Sequence, residues 1–224
     1  MKLLRTLIPL LSAVAGSSGA APAGRFRRLD PDELTPQQRD LVASIQSGPR
    51  GKVAGSAANA SLGSVGGPFN VFLRSPKLGD ILQRAGSFIR FENSLGPKLT
   101  ELAILVTARY WSAQYEWFAH HRLALQAGLS PKIADAIAQG HAPQGMTPEE
   151  EAVYRFSTEL HHQKQVSDES YMRACELFGE QGVMDLIGTN GYYSLVSMVL
   201  NVDRTPIPDA GALPLAPLTE NQKI

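Results

Sequence analysis

The chain has 224 residues, of which 43% are apolar, and its 21 lysines and arginines balance 21 aspartates and glutamates. A chain of this size can bury a sizeable core, whereas its balanced charge gives no general attraction to nucleic acid. The single cysteine, Cys175, excludes an intrachain disulfide, a CxxC redox pair and a cysteine-based zinc site.

The N-terminus has the pattern of an export signal. Lys2 and Arg5 precede the apolar run TLIPLLSAVAG, and small residues follow in SSGAAPAG. This order is typical of a cleavable signal peptide, and the apolar run is short for a membrane span. We therefore predict a signal peptide over 1–23, no stable membrane span after cleavage, and a periplasmic or secreted protein. A buried or disordered N-terminal segment is the alternative.

Helical patterns recur along the rest of the chain, and four of them begin with a capping hydroxyl directly before a proline. These pairs are Thr35-Pro36, Ser75-Pro76, Ser130-Pro131 and Thr147-Pro148. A further helix is predicted to begin at Ser112 and to stop near Gly128, and two more follow in the stretch up to Asn201. Because no run alternates as a strand does, the predicted class is all-α.

Two segments lack a helical period. Residues 47–68 are rich in Gly, Ser and Ala, and we predict a long loop there, either functional or a mere connector. The tail after Asn201 is rich in proline and is predicted to lie extended on the surface or on a neighbouring subunit.

The stretch SAQYEWFAHH, residues 112–121, carries a candidate proton-transfer site. Glu116 and His120 are four residues apart, so a helix places them on one face. Glu101 would share roughly that side if its helix were continuous with theirs, and could still pack beside them across a break. Such a set suits a carboxylate that orients an imidazole. It equally suits a surface pair or a buried network that fixes helix packing.

A family resemblance rests on three ordered segments. They are GPFNVFLRSPKLGD, ELAILVTARYWSAQYEWFAHHRLALQAGLSPKIADAI and FGEQGVMDLIGTNGYYSLVSMVLN. Together they resemble the carboxymuconolactone decarboxylase family, which also contains the alkyl hydroperoxidase D-like proteins. The resemblance implies an alkyl hydroperoxidase D-like helical bundle over 65–202, assembled as a homo-oligomer (trimer or hexamer). It leaves 24–64 as an N-terminal helix with a flexible Gly/Ser-rich loop, and 203–224 as a proline-rich tail.

The resemblance offers two kinds of chemistry. The hydroperoxidase branch uses a glutamate, a CxxC pair and a histidine, and these positions fall on Glu101, Ala113, Glu116 and His120. Since neither cysteine position holds a thiol, an alkyl hydroperoxidase or peroxiredoxin-like activity is disfavoured. The decarboxylase branch needs no thiol, because it must stabilise an enolate-like charge and deliver a proton.

The resemblance therefore implies a lyase that acts on a small lactone or unsaturated carboxylic acid and needs no cofactor or metal. We predict no nucleic-acid partner. His120 would move the proton, Glu116 would orient the His120 ring and Glu101 would complete the relay. The predicted pocket walls are Tyr115, Trp117, Trp111 and Tyr193, the last of which is alternatively a core residue. A non-catalytic binding or assembly protein on the same scaffold is the alternative.

Other polar residues have no defined place in that site. His161 and His162 are predicted to be exposed or interfacial, and Cys175 to be a small buried side chain. Arg74 and Arg90 are candidate cations for a substrate carboxylate, and nothing in the spacing selects either.

Overall fold

The computed structural model describes residues 24–53, 55–60, 64–208 and 213–218, and this part of the chain is all-α, as predicted. Its helices are α1 Pro36–Ser47, α2 Gly67–Phe72, α3 Pro76–Phe91, α4 Pro97–Tyr110, α5 Gln114–Gln126, α6 Pro131–Ala138, α7 Pro148–Gln163 and α8 Asp168–Asp203. The predicted signal peptide, 1–23, lies outside the described residues. None of the described helices is long and apolar enough to cross a membrane.

The predicted helix starts at two threonines are confirmed. The hydroxyl groups of Thr35 and Thr147 each accept a hydrogen bond from the backbone N–H three residues on. In return, the side chains of Gln38 and Glu150 accept one from the backbone N–H of the threonine, which completes two capping boxes. The predicted cap at Ser112 is wrong. Ser112 has a left-handed φ of 48°, and α5 begins one residue later, after Ala113 as its N-cap. The three-residue connection between α4 and α5 needs this reversal, which capping propensity does not reveal.

Helix α4 is the centre of the fold. Ten consecutive residues, 100–109, are buried, so every face of the helix meets other protein. It packs against α5, α6, α7 and α8. A helix that is apolar on nearly all sides is expected to be enclosed in this way. Any polar side chain on α4 must therefore find its partners inside the protein.

Helix α8 is interrupted where two separate helices are predicted. Gly179 adopts φ 67° and ψ 176°, values that fall outside the helical region, and helical geometry resumes after it. Glycine takes a positive φ without the steric penalty that other residues meet. The break therefore has a local cause in the sequence LFGEQG.

The described residues of the segment predicted as a long loop form local structure and tertiary contacts. It contains two short 3₁₀ helices, Pro49–Lys52 and Ala57–Asn59. Ala58 and Val65 are buried and belong to an apolar cluster that includes residues of α1 and α2. This segment therefore packs onto the helical domain as part of its structure.

The described part of the C-terminal tail is anchored on its own chain. Leu215 is only 1% exposed. Its backbone exchanges two hydrogen bonds with the Gln114 side chain, at 2.8 and 2.9 Å. Arg109 Nη1 donates to the carbonyl oxygen of Ala216 at 3.0 Å. Apart from Leu215, residues 213–218 are exposed or half-buried, so the described part of the tail lies on the surface of its own chain, which is one of the two predicted arrangements.

Gly86 on α3 permits a close helix contact that larger residues would block. A Cβ at this position would overlap ring atoms of Tyr192 on α8. Gly86→Ala is therefore expected to lower the free energy of unfolding by about 1–3 kcal/mol, as overpacking usually does. Gly188→Ala is the matched control, since its Cβ would meet nothing within 4 Å. The control is expected to be neutral or stabilising by up to about 1 kcal/mol. Urea unfolding measures both, and equal effects would contradict the close approach.

Candidate active site

A cavity of 1240 Å³ opens along one side of α5. Its walls come from the N-terminal lead-in, the segment between α1 and α2, the helices α3, α5 and α8, and the beginning of the tail. Of the predicted site residues, those that line it are Tyr115, Glu116, Trp117, His120 and Tyr193. Glu101 lies directly behind His120. The cavity therefore brings together most of the set that the sequence predicts.

His120 is held between two carboxylates. Its Nδ1 lies 2.6 Å from Glu101 Oε2, and its Nε2 lies 3.2 Å from Glu116 Oε1. All three side chains are buried, with exposed fractions of 6% or less. Because α4 and α5 are joined by a tight turn and pack together, Glu101 is brought beside a helix from which it is separated in sequence.

Glu101 fixes the orientation of the His120 ring. A short contact to Nδ1 is that of an N–H donating to an ionised carboxylate, and Arg90 Nε lies 3.6 Å from the other Glu101 oxygen. With the Nδ1 proton directed at Glu101, Nε2 is left as the free nitrogen of a neutral ring. The orienting contact thus belongs to Glu101, whereas the sequence pattern assigned it to Glu116.

Glu116 lies in an environment that favours its protonated form. Burial raises the pKa of the Glu116 carboxyl, and the nearby negative charge of Glu101 adds to this effect. Positive groups act in the opposite direction; they are His120, Arg90 and Arg50. The buried Oε1 atom forms no aligned hydrogen bond with any described residue. Glu116 can therefore hold a proton at the cavity wall and give it up there.

Comparison with known proteins places this site within a family. Residues 76–159 match the model of the carboxymuconolactone decarboxylase family. This segment is a carboxymuconolactone decarboxylase family domain. The matched segment covers over a third of the chain and contains Arg90, Glu101, Glu116 and His120. A search among curated proteins finds no significant match.

Three tyrosines line the same cavity. Tyr115 belongs to the family-matched segment, whereas Tyr192 and Tyr193 follow it in the chain. The Tyr193 ring meets the His120 ring edge-on, with centroids 5.1 Å apart. Burial raises the pKa of Tyr193 well above its usual value and that of Tyr192 to about 12. Burial likewise raises the pKa of Tyr115. These phenols therefore stay neutral and can donate hydrogen bonds to a bound molecule.

Arg50 lines the cavity, and the sequence patterns do not single it out. It belongs to the 3₁₀ helix Pro49–Lys52, ahead of the decarboxylase-family domain, and is 5% exposed. The only available signal is that Arg50 and Lys52 are the charged residues of 47–68, a segment otherwise made of small and apolar residues. Arg90 also lines the cavity, but Arg74 is not among its lining residues.

Trp111 is not part of the cavity wall, contrary to prediction. It terminates α4, and its ring meets that of Tyr110 edge-on at 5.7 Å. Its carbonyl oxygen accepts a hydrogen bond from Asn201. Since the chain reverses directly after Trp111, the indole is carried away from the α5 residues that face the cavity.

His161 is buried, so the prediction of an exposed or interfacial side chain is wrong for it. Its Nε2 lies 2.9 Å from Thr107 Oγ1, and its ring stacks on Tyr110. Burial lowers the pKa of His161 to about 4. His162 is exposed, as predicted, and Cys175 is half-buried against the main core.

No metal centre is formed by the residues that the structure describes. Among them, no group of three or more His, Cys, Asp or Glu side chains is arranged to hold a metal ion. The pair His161-His162 accordingly lacks further ligands of that kind.

Proposed function

We propose that this chain is a carboxymuconolactone decarboxylase-like enzyme that performs cofactor-independent proton transfer and decarboxylation. Its substrate would be a small lactone or an unsaturated carboxylic acid. One observation carries the proposal: His120 stands between Glu101 and Glu116, with contacts of 2.6 and 3.2 Å, at the wall of a large cavity. The family domain that contains all three residues supports the same reading.

The proton can follow a defined path. When the bond between the substrate and its carboxylate carbon breaks, carbon dioxide leaves and the electron pair stays on the substrate as an enolate-like anion. That anion needs a proton, and protonated Glu116 can supply it, since burial raises the pKa of this carboxyl. His120 can then take up a proton from water at its free Nε2 and pass that proton to the Glu116 carboxylate, while Glu101 stabilises the transient imidazolium at Nδ1.

Thiol-dependent peroxide reduction finds no support at this site. Ala113, at the first cysteine position of the hydroperoxidase branch, is a buried N-cap residue, and Glu116 occupies the second. Cys175 belongs to α8 and is not among the residues that line the cavity. Without a thiolate near His120, the redox chemistry of that branch lacks its nucleophile.

Assembly and location also belong to the proposal. Large apolar side chains are exposed along α3 and α8: Leu78, Ile81, Phe88, Met184, Ile187, Met198 and Val202. An interface between copies of the chain would cover these side chains, which supports a homo-oligomer, and sedimentation of the purified protein tests it. Export to the periplasm or the exterior is proposed from the N-terminal sequence alone, and N-terminal sequencing of the mature protein tests it.

Activity against small lactones and unsaturated carboxylic acids tests the function directly. The protein would be incubated with each compound and the products identified by mass spectrometry. His120→Ala is expected to lose about 10²–10⁴-fold in turnover, which is the usual contribution of a positioned acid–base group. His162 is exposed and does not line the cavity, so His162→Ala is expected to keep the wild-type turnover. Turnover unchanged in His120→Ala would refute the assignment. Binding without any turnover in either protein would favour the non-catalytic alternative.

A further inference from the structure

Arg50 carries a buried positive charge that forms no ion pair with a described carboxylate. The side chain is 5% exposed, and the residue takes part in none of the ion pairs among the described residues. Its Nη1 donates to the carbonyl oxygen of Gln83 at 2.7 Å, and its guanidinium lies 5.3 Å from the centre of the Phe69 ring. These contacts orient the group, but they supply no counter-charge. Burying a charge without one costs several kcal/mol.

The carboxylates that contact His120 form no ion pair with Arg50. Arg90 is matched by Glu101, whose second oxygen meets His120. Glu116 is held towards its neutral form by burial. Arg50 is therefore a buried arginine of the cavity wall that has no ion-pair partner among the described residues.

Arg109 shows what a buried arginine with a purely structural task does in this protein. Its Nη1 donates to the carbonyl oxygens of Ala138 and Ala216, so it joins α4 to the end of α6 and to the tail. It does not line the cavity. Arg50, in contrast, donates to the backbone carbonyl of Gln83 and lines the cavity that contains His120.

We propose that Arg50 binds the carboxylate of an organic anion and holds the rest of that molecule over Glu116 and His120. The inference rests on the proposed function and narrows its substrate to compounds that carry a free carboxylate. A guanidinium presents several N–H donors in a planar fork that fits a carboxylate with two parallel hydrogen bonds. One of those donors is taken by the Gln83 carbonyl and another by the Tyr192 hydroxyl, which leaves further N–H groups of the fork for a ligand.

The anchor comes from outside the family-matched residues. Arg50 precedes residue 76, where the match begins, and the ring beneath it, Phe69, also lies before that point. Only Gln83, which accepts its hydrogen bond, belongs to the matched segment. Proton transfer and anion recognition are therefore assigned to different parts of the chain, and each can be removed by substitution without the other.

Thermal unfolding in small carboxylates tests the anchor. Formate, acetate and benzoate would each be titrated against the uncharged formamide, acetamide and benzamide, with sodium chloride used to keep ionic strength constant. The wild type is expected to show a saturable rise in Tm with the carboxylates and none with the amides. Arg50→Gln is expected to weaken the apparent affinity about tenfold or more, because a charged hydrogen-bond partner is lost.

Two further variants control the test. Arg84→Gln removes an exposed arginine of α3 that pairs with Asp80, and it is expected to respond as the wild type does. Arg50→Lys keeps the charge and loses the fork, so its affinity is expected to fall several-fold, and it decides the question if Arg50→Gln does not fold. The proposal is overturned if carboxylates and amides act alike on the wild type. It is also overturned if an Arg50 variant keeps the wild-type response.

The anchor and the proposed function can fail separately. His120→Ala is expected to keep the carboxylate-dependent rise in Tm, because Arg50 is intact, while losing turnover. A carboxylate response that depends on Arg50, combined with turnover that does not depend on His120, would leave the anchor standing and remove the proposed mechanism. Turnover that depends on His120 but is unchanged in Arg50→Gln would do the reverse.

Discussion

Glu101→Gln is expected to lower turnover by about 10²–10⁴-fold, the range found for positioned acid–base groups, although the side chain keeps its size. The 2.6 Å contact to His120 Nδ1 requires a carboxylate that accepts the ring proton. An amide can instead direct its NH₂ group at Nδ1, which moves the proton to Nε2 and presents the wrong tautomer to Glu116. Steady-state kinetics on the substrate identified by product analysis measures the loss.

Glu116→Gln, the matched substitution on the other side of the His120 ring, distinguishes the roles of the two carboxylates. Burial raises the pKa of Glu116, and its acid form is the one required. The wild-type rate is therefore expected to be high below that pKa and to fall as pH rises through it. Glu116→Gln should lose both the activity and this falling limb. Exposed Glu92→Gln is the control. A Glu101→Gln enzyme with wild-type kcat would show that His120 is oriented by something else.

Acid is expected to destabilise the protein through His161. Burial lowers the pKa of His161 to about 4 from 6.5, and the charges of His162 and Lys164 act in the same direction, against a hydrogen bond with Asn190. Between those pH values the unfolded chain binds a proton that the folded chain rejects. Stability therefore falls as pH drops through this window, by an amount on the order of 3 kcal/mol once pH lies below 4.

Variants at two adjacent histidines isolate this contribution. His161→Gln removes the titration and keeps an amide that can bond to Thr107, so its free energy of unfolding is expected to fall less steeply between pH 6.5 and pH 4. His162→Gln should follow the wild-type slope more closely, since His162 is exposed. The measurement is urea unfolding across the window. Parallel curves for His161→Gln and the wild type would contradict a buried neutral His161.

Local sequence signals predicted the helices well, and they failed at residues whose conformation or burial is decided by tertiary contacts. Thr35 and Thr147 cap helices because the capping contacts lie within four residues, and the sequence contains both partners. Ser112 has the same side-chain chemistry, yet the reversal between α4 and α5 forces it into a left-handed conformation. His161 follows charged and polar residues and resembles a surface residue, but its partner Thr107 comes from another helix.

The same division applies to the site. Spacing alone placed Glu116 and His120 on one face, because both belong to α5. Spacing placed Glu101 near them only on the condition that its helix was continuous with theirs or packed beside it, and the family resemblance supported that placement. Neither source indicated Arg50, since its position depends on how a segment of small residues folds against α2 and α3. The assignment of Trp111 failed for a related reason, because the reversal of the chain at Ser112 decides where the indole lies.

The enclosure of α4 has a consequence for motion. Ten consecutive buried residues give this helix the environment in which amide hydrogens exchange only on global unfolding, and Glu101 belongs to that run. Arg50 instead belongs to a four-residue 3₁₀ helix, whose weaker hydrogen bonds open more readily. Deuterium exchange should therefore be slowest around the carboxylate that orients His120 and faster around Arg50. A protein divided in this way can change which molecules it accepts through substitutions near Arg50, while the geometry of its proton relay stays as it is.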